Sequence, residues 1–128
     1  MIKILQYGEG NFLRTFAEHY FDTLCEEGRE YSVTIVKPIA HGSLEPFKRQ
    51  GCRYHIVLRG MEEGKPVERV REIRVVHAAI SPYEEYDAYM AAVLDPELRI
   101  LVSNTTEAGI VFFAEGMFDG FEGFPYPA

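Results

Sequence analysis

Gly8 and Gly10 stand one residue apart in "QYGEGNFLR", residues 6–14. They fall between a short apolar run and a helical pattern. Glycines so placed let backbone N–H groups approach an anion at a helix N-terminus, where unpaired donors and the helix dipole favour negative charge. The usual dinucleotide fingerprint has a third glycine that lets helix and strand pack closely. Leu13 occupies that position. On spacing alone, a nucleotide loop and a plain strand–helix turn both stay open.

Two further stretches bear on the choice. A dinucleotide site commonly has Asp or Glu at the end of its second strand, to bind the ribose hydroxyls. Here that end reads Val36-Lys37-Pro38. Lys37 fits either a cation near a 2′-phosphate or a solvated strand end. A related glycine loop holds S-adenosylmethionine in methyltransferase-like folds, but the missing acid argues against that reading. The second stretch, Ser103-Asn104-Thr105-Thr106-Glu107, follows an apolar run. Polar side chains at the carboxyl end of a parallel strand can bind a ribose or a carboxamide, and the same residues are also helix-capping chemistry.

The remaining reactive residues form no pattern. His19, His41, His55 and His77 have no pair at metal-ligand spacing, so no metal site is expected. No Ser-His-Asp or Cys-His arrangement can be placed. Glu84, Glu85 and Asp87 read as a solvated helix face.

The elements that must position these residues are legible in outline. Ile2–Tyr7 is a buried-type strand. Asn11 is placed to cap a helix, and Phe12, Leu13, Phe16, Ala17, Tyr20, Phe21, Leu24 and Cys25 recur at helical spacing as one apolar face, ended by Gly28. Residues 32–36 form a β-branched strand, completing a βαβ unit with a right-handed crossover. Residues 41–50 read as a loop with one helical turn after Pro46. Residues 54–59 and 67–76 read as a hairpin around 60–66, inserted in the α/β frame. Ser81-Pro82-Tyr83-Glu84 starts a helix that runs to about Leu94, where Asp95-Pro96 ends it. Leu98–Val102 is a further buried-type strand. The apolar run Ile110–Phe113 and a Gly- and Pro-rich end follow.

The chain has 128 residues, of which 47% are hydrophobic, enough for one domain. The net charge of -7 argues against nucleic acid or an anionic membrane as a main partner. No apolar run reaches membrane-span length, and no basic segment suggests a signal peptide. Cys25 and Cys52 lack paired spacing. A cytoplasmic chain with two free thiols is expected.

Two separated motifs now agree. "ILQYGEGNFLRTF" and the later "SNTTEAGI" resemble the N-terminal part of the long-chain mannitol dehydrogenase family, and the second motif resembles its uronate branch. Gly8, Gly10, Phe12 and Arg14 match that family's G-x-G-x-F-x-R opening, which itself lacks the third glycine. "VKPIAHGS", "ISPYEEY" and "GFPYP" follow in the expected order, so the resemblance covers nearly the whole chain. It implies a partial Rossmann-like, three-layer α/β fold with a mostly parallel sheet and an inserted β-hairpin, over a single domain, 1–128. It also implies NAD(H)-linked reduction of a keto-uronate to an aldonate. Gly8, Gly10, Asn11 and Phe12 would line the dinucleotide loop, with Arg14 from the same motif. Lys37 would lie at the adenosine ribose, leaving NAD against NADP open, and Ser103, Asn104 and Thr105 would face the nicotinamide. The family's catalytic K-x4-N-x2-H motif is not in these 128 residues. The expectation is therefore a truncated cofactor-binding domain, not catalytic alone, whose unpaired sheet edge and uncovered face cause self-association.

Overall fold

The computed structural model describes residues 1–40 and 42–104. His41, the stretch of Thr105, Thr106 and Glu107, the apolar run 110–113 and the Gly- and Pro-rich end lie outside them. The main sheet has four parallel strands in the order β5-β2-β1-β6, where β1 is Ile2–Tyr7, β2 Tyr31–Val36, β5 Val76–Ile80 and β6 Leu98–Ser103. The chain leaves β1 for the strands on one side, then returns to the other side for β6. The direction of winding thus reverses at β1, which is the switch point of a doubly wound sheet.

Alternate residues of β1 face two cores, as the strand period requires. Ile4 packs with Val33, Ile35, Ile73 and Val76. Phe21 and Cys25 of helix α2 (Ala17–Glu26) and Phe47 of helix α3 (Glu45–Arg49) lie on that side. Leu5 and Val36 face the other way, onto Tyr89 of helix α4 (Tyr86–Val93). The result is three layers.

The first helical stretch differs from its expected form. Gly10, not Asn11, is the N-cap, and no side chain caps it. Helix α1 covers Asn11–Thr15 and breaks at Phe16. Thr15 Oγ1 bonds back to the carbonyl of Asn11 at 2.7 Å, a contact that loosens and bends helices. The buried face also differs from the apolar pattern. Phe12, Phe16 and Tyr20 are each about 60% exposed or more, whereas Glu18 and Asp22 are buried. The end of α2 follows the sequence: Gly28 N–H bonds to Cys25 O and Arg29 N–H to Leu24 O, a Schellman closure.

The hairpin is longer and its turn tighter than 60–66. Strand β3 (Tyr54–Glu62) pairs antiparallel with β4 (Lys65–Ile73). Glu63 and Gly64 alone make the turn, both at positive φ, as a two-residue type I′ turn needs. Val76 belongs not to this hairpin but to β5, which pairs with β2 in the main sheet. The chain changes sheets at Arg74 and Val75, where both backbone N–H groups are taken up by Asp22 Oδ1, at 2.8 and 2.9 Å. Asp22 Oδ2 accepts from Arg71 Nη2 at 2.8 Å. Helix α4 starts later than Ser81, because residues 82–84 form a turn on the Ser81 carbonyl, which accepts the N–H groups of Glu84 and Glu85. Glu85 is not a free surface acid. It is the N-cap of α4 and pairs with Lys48 at 2.9 Å.

Candidate functional site

Strand register gathers the sequence-selected residues at one edge. Tyr7 pairs with Val36 on one side and with Ser103 on the other. The ends of β1, β2 and β6 are therefore level, so Gly8, Lys37 and Asn104 leave the sheet side by side. This is the carboxyl edge at the switch point, where open α/β sheets bind ligands.

The glycine turn is built for close backbone approach. Gly8 N–H donates to Val36 O at 3.0 Å, and Gly8 sits at φ +126°, which a side chain at Cβ disfavours. A Cβ there would meet Leu13 Cδ1 at 3.4 Å. Leu13 thus makes the close helix–strand contact in place of a third glycine. Gly10 is different: its φ is -70°, and a Cβ would meet no atom within 4 Å. Its missing side chain leaves open space above the start of α1.

Asn11 and Phe12 are exposed beside this turn, with Phe12 stacked on Phe16 at 5.6 Å between ring centroids. Arg14 turns toward the hairpin layer. Its guanidinium lies 4.5 Å from the Phe47 ring centroid and 5.8 Å from that of Tyr54, within cation–π range. Lys37 is not a solvated strand end. It is 2% exposed, and its Nζ donates to Gly42 O at 2.6 Å. Among the described residues it has no carboxylate partner. Ser103 and Asn104 are exposed; Thr105 lies outside the described residues.

A second layer supports the edge from below, and sequence reasoning missed it. Gln6 is buried in β1, and its Nε2 donates to Glu18 Oε1 at 2.5 Å and to Gly8 O at 3.1 Å. Glu18 also bonds the Tyr54 hydroxyl, which reaches Arg14 O at 2.7 Å. Burial raises the Glu18 carboxyl above the ordinary range, against the hydrogen bonds of Tyr54 and Gln6 and the charge of Arg14. Burial raises the Tyr54 phenol too, helped by Glu18. Gln6 Oε1 and Arg14 Nε are buried with no hydrogen-bond partner among the described residues. On the opposite sheet face the hydroxyls of Tyr7 and Tyr89 meet at 3.0 Å, and burial again raises Tyr7. Two signals were present: a lone Gln in an apolar strand, and Arg14, Glu18 and Asp22 at four-residue intervals, which share one helix face.

Other cavities lie elsewhere. One of about 470 Å³, lined by Asp22, Arg71, Glu72 and Arg74 among others, sits on the hairpin side and includes no residue of the glycine turn. Among the described residues no group of three His, Cys, Asp or Glu could hold a metal ion, and no helix is long and apolar enough to cross a membrane.

Known proteins give the same arrangement a context. Residues 2–124 match the family described as the mannitol dehydrogenase Rossmann domain. An altronate oxidoreductase of Phocaeicola vulgatus is 40% identical over 111 residues, covering 86% of this chain and 23% of that protein. One of Escherichia coli O1:K1 is 41% identical, covering 98% of this chain and 26% of that protein. The chain therefore spans about a quarter of the length of these relatives. A D-sorbitol dehydrogenase structure superposes with a TM-score of 0.69 at 26% identity, over 84% of this chain and 23% of that one. The Pseudomonas fluorescens mannitol 2-dehydrogenase, solved with NAD and D-mannitol, gives 0.70 at 20% identity, over 80% and 21%, and supports the fold. The glycine turn, the reversal of the sheet at β1 and these matches together place the chain in the mannitol dehydrogenase family, as its Rossmann domain.

Proposed function

We propose that this chain is the nicotinamide-dinucleotide-binding part of an oxidoreductase that reduces a keto-uronate, tagaturonate, to its aldonate. The observation that carries the reading is the Tyr7–Ser103 register, which sets the glycine turn against Ser103 and Asn104 at the switch point. The altronate oxidoreductase relatives supply the substrate class.

The residues fit a dinucleotide. Gly10 leaves room for a pyrophosphate, and the first turn of α1 has no side-chain cap competing for its N–H groups. Asn11 and Phe12 flank the same turn, Ser103 and Asn104 take the nicotinamide side, and Lys37 takes the adenosine side. Arg14, from the same motif, holds the start of the helix against Phe47 and Tyr54. When bound, the nicotinamide supplies the hydride. The chain's own residues bind and orient; the proton donor that a carbonyl reduction also needs is not among the residues that line this edge. Only two Asn occur here, Asn11 and Asn104, and neither follows a Lys at the family's catalytic spacing.

Calorimetric titration with NADH, NADPH and S-adenosylmethionine tests the binding claim. A dinucleotide should bind and raise the melting temperature, since a ligand specific for the folded state stabilises it; S-adenosylmethionine should not. Absence of any dinucleotide effect at about millimolar concentration overturns the reading. Turnover of tagaturonate by these residues alone would overturn the claim that they lack a proton donor.

A further inference from the structure

A buried relay joins the inserted hairpin to the glycine turn. Tyr54 begins β3, Glu18 lies on α2, and Gln6 lies on β1. Their hydrogen bonds run from Tyr54 to Glu18, to Gln6 and on to Gly8 O. The Gln6 amide orientation is set by its contacts, because Nε2 faces two acceptors, Glu18 Oε1 and Gly8 O.

The proton count along this relay is informative. A phenol has one proton, yet the Tyr54 hydroxyl contacts two acceptors, Arg14 O and Glu18 Oε2. With Glu18 ionised, one of these contacts sets lone pairs against lone pairs. With Glu18 neutral every proton has a place. Glu18 Oε2–H donates to Tyr54 Oη, Tyr54 Oη–H donates to Arg14 O, and Glu18 Oε1 accepts from Gln6. The charged groups around Glu18 do not reverse this. Arg14 is held over the Phe47 and Tyr54 rings. Asp22, one turn along, is occupied by Arg71 and by the N–H groups of Arg74 and Val75. Glu18 has no cation within ion-pair distance among the described residues.

We propose that Glu18, as a neutral carboxylic acid, is a positioning residue for the dinucleotide loop: it orients Gln6, and Gln6 fixes the Gly8 carbonyl. This rests on the reading that the loop binds a dinucleotide. In a planar trans peptide, C=O and the following N–H point in opposite directions. Holding Gly8 O toward Gln6 therefore aims the Glu9 N–H away from the interior, as a donor to an incoming phosphate. Glycine at position 8 leaves that peptide free to flip; the relay removes the freedom.

The test uses the intact chain. NADH affinity is measured across pH for wild type, Glu18→Gln, Glu18→Ala and Gln6→Leu. Glutamine reproduces the neutral acid, since its NH2 donates to Tyr54 and its oxygen accepts from Gln6. Wild-type affinity should fall as pH rises through the Glu18 titration. Glu18→Gln should bind within about twofold of low-pH wild type at every pH, while Glu18→Ala and Gln6→Leu should lose about tenfold or more. Glu18→Gln losing as much as Glu18→Ala overturns the proposal. A readout without cofactor separates it from the binding claim. The 13C shift of the Glu18 carboxyl carbon should be that of a neutral acid at neutral pH, and exchange of the Glu9 amide should quicken in Gln6→Leu. An ionised Glu18, or unchanged exchange, overturns the relay whether or not NADH binds.

Discussion

The carboxylate of Asp22 accepts the Val75 N–H at 2.9 Å, and the same oxygen takes the Arg74 N–H. Helix α2 thereby fixes the point at which the chain leaves the hairpin and enters the parallel sheet. Asp22→Ala strands the buried Val75 N–H, the part-buried Arg74 N–H and the Arg71 guanidinium, and should cost about 3 kcal/mol. Asp22→Asn keeps one acceptor and should cost about half as much. Urea unfolding checks both, and equal stability of Asp22→Ala and wild type would show that the clasp is idle.

That clasp explains why β5 was not legible. The run Arg71–Ile80 has no Gly or Pro at its break, so periodicity alone reads a long hairpin strand continuing into apolar residues. The break is imposed from Asp22, distant in sequence, and no local rule reports it. The βαβ unit and β6 were legible because their patterns are local. Helix α2 was half legible: its period was right and its facing was not, because Glu18 and Asp22 satisfy buried donors from the hairpin while Phe12, Phe16 and Tyr20 face outward. The candidate site was legible at its rim, in Gly8, Gly10, Ser103 and Asn104. Gln6, Glu18 and Tyr54 beneath it converge only once the hairpin is folded.

The two glycines of the turn should behave differently. Gly8→Ala forces φ +126° on a residue with a Cβ and should destabilise by about 1–3 kcal/mol. Gly10→Ala has ordinary φ and open space, so its stability should change by less than about 0.5 kcal/mol. Its methyl nonetheless stands where the pyrophosphate is proposed to lie, and NADH affinity should drop about tenfold. Thermal melts beside NADH titrations distinguish the two. Unimpaired binding by Gly10→Ala would remove the phosphate from that position.

Lys37 offers a test of cofactor choice. If the buried Lys37 takes the adenosine side as proposed, it should favour a 2′-phosphate, so Lys37→Ala should weaken NADPH more than NADH, by about tenfold. Equal losses would mean that the lysine acts only through the Gly42 carbonyl. Competitive titration of the two cofactors reads the difference.

Acid should weaken the contact between α3 and α4. Lys48 holds Glu85 below the ordinary carboxylate range. A lowered folded-state value gives stability that is present above the unfolded value and is lost as pH falls through the folded one. The pair is solvent-screened, and its worth is below about 1 kcal/mol. Lys48→Met should flatten the acid limb of the stability–pH curve. Glu18 has the opposite sign: its raised value stabilises below the ordinary Glu range, and that contribution disappears as pH rises toward the folded value. Paired melts of Lys48→Met and Glu18→Gln should bend opposite limbs.

The outward stripe of Phe12, Phe16 and Tyr20 should drive self-association of the isolated chain. Light scattering at about tens of micromolar should report species larger than a monomer, and Phe16→Asp should lower the mass without reducing stability. A wild-type monomer under those conditions would show that the stripe is tolerated in water.

The strand order also has a temporal meaning. Among the described strands β1 is made before the others, and its two neighbours are β2, which follows it closely, and β6, the last described strand. On the ribosome, one wall of the crevice can form as soon as β2 emerges, whereas the other must wait until the chain has been made as far as Ser103. The nascent domain would therefore present a pairing-ready β1 edge throughout synthesis of the hairpin and α4, and chains arrested before Leu98 should be the aggregation-prone ones.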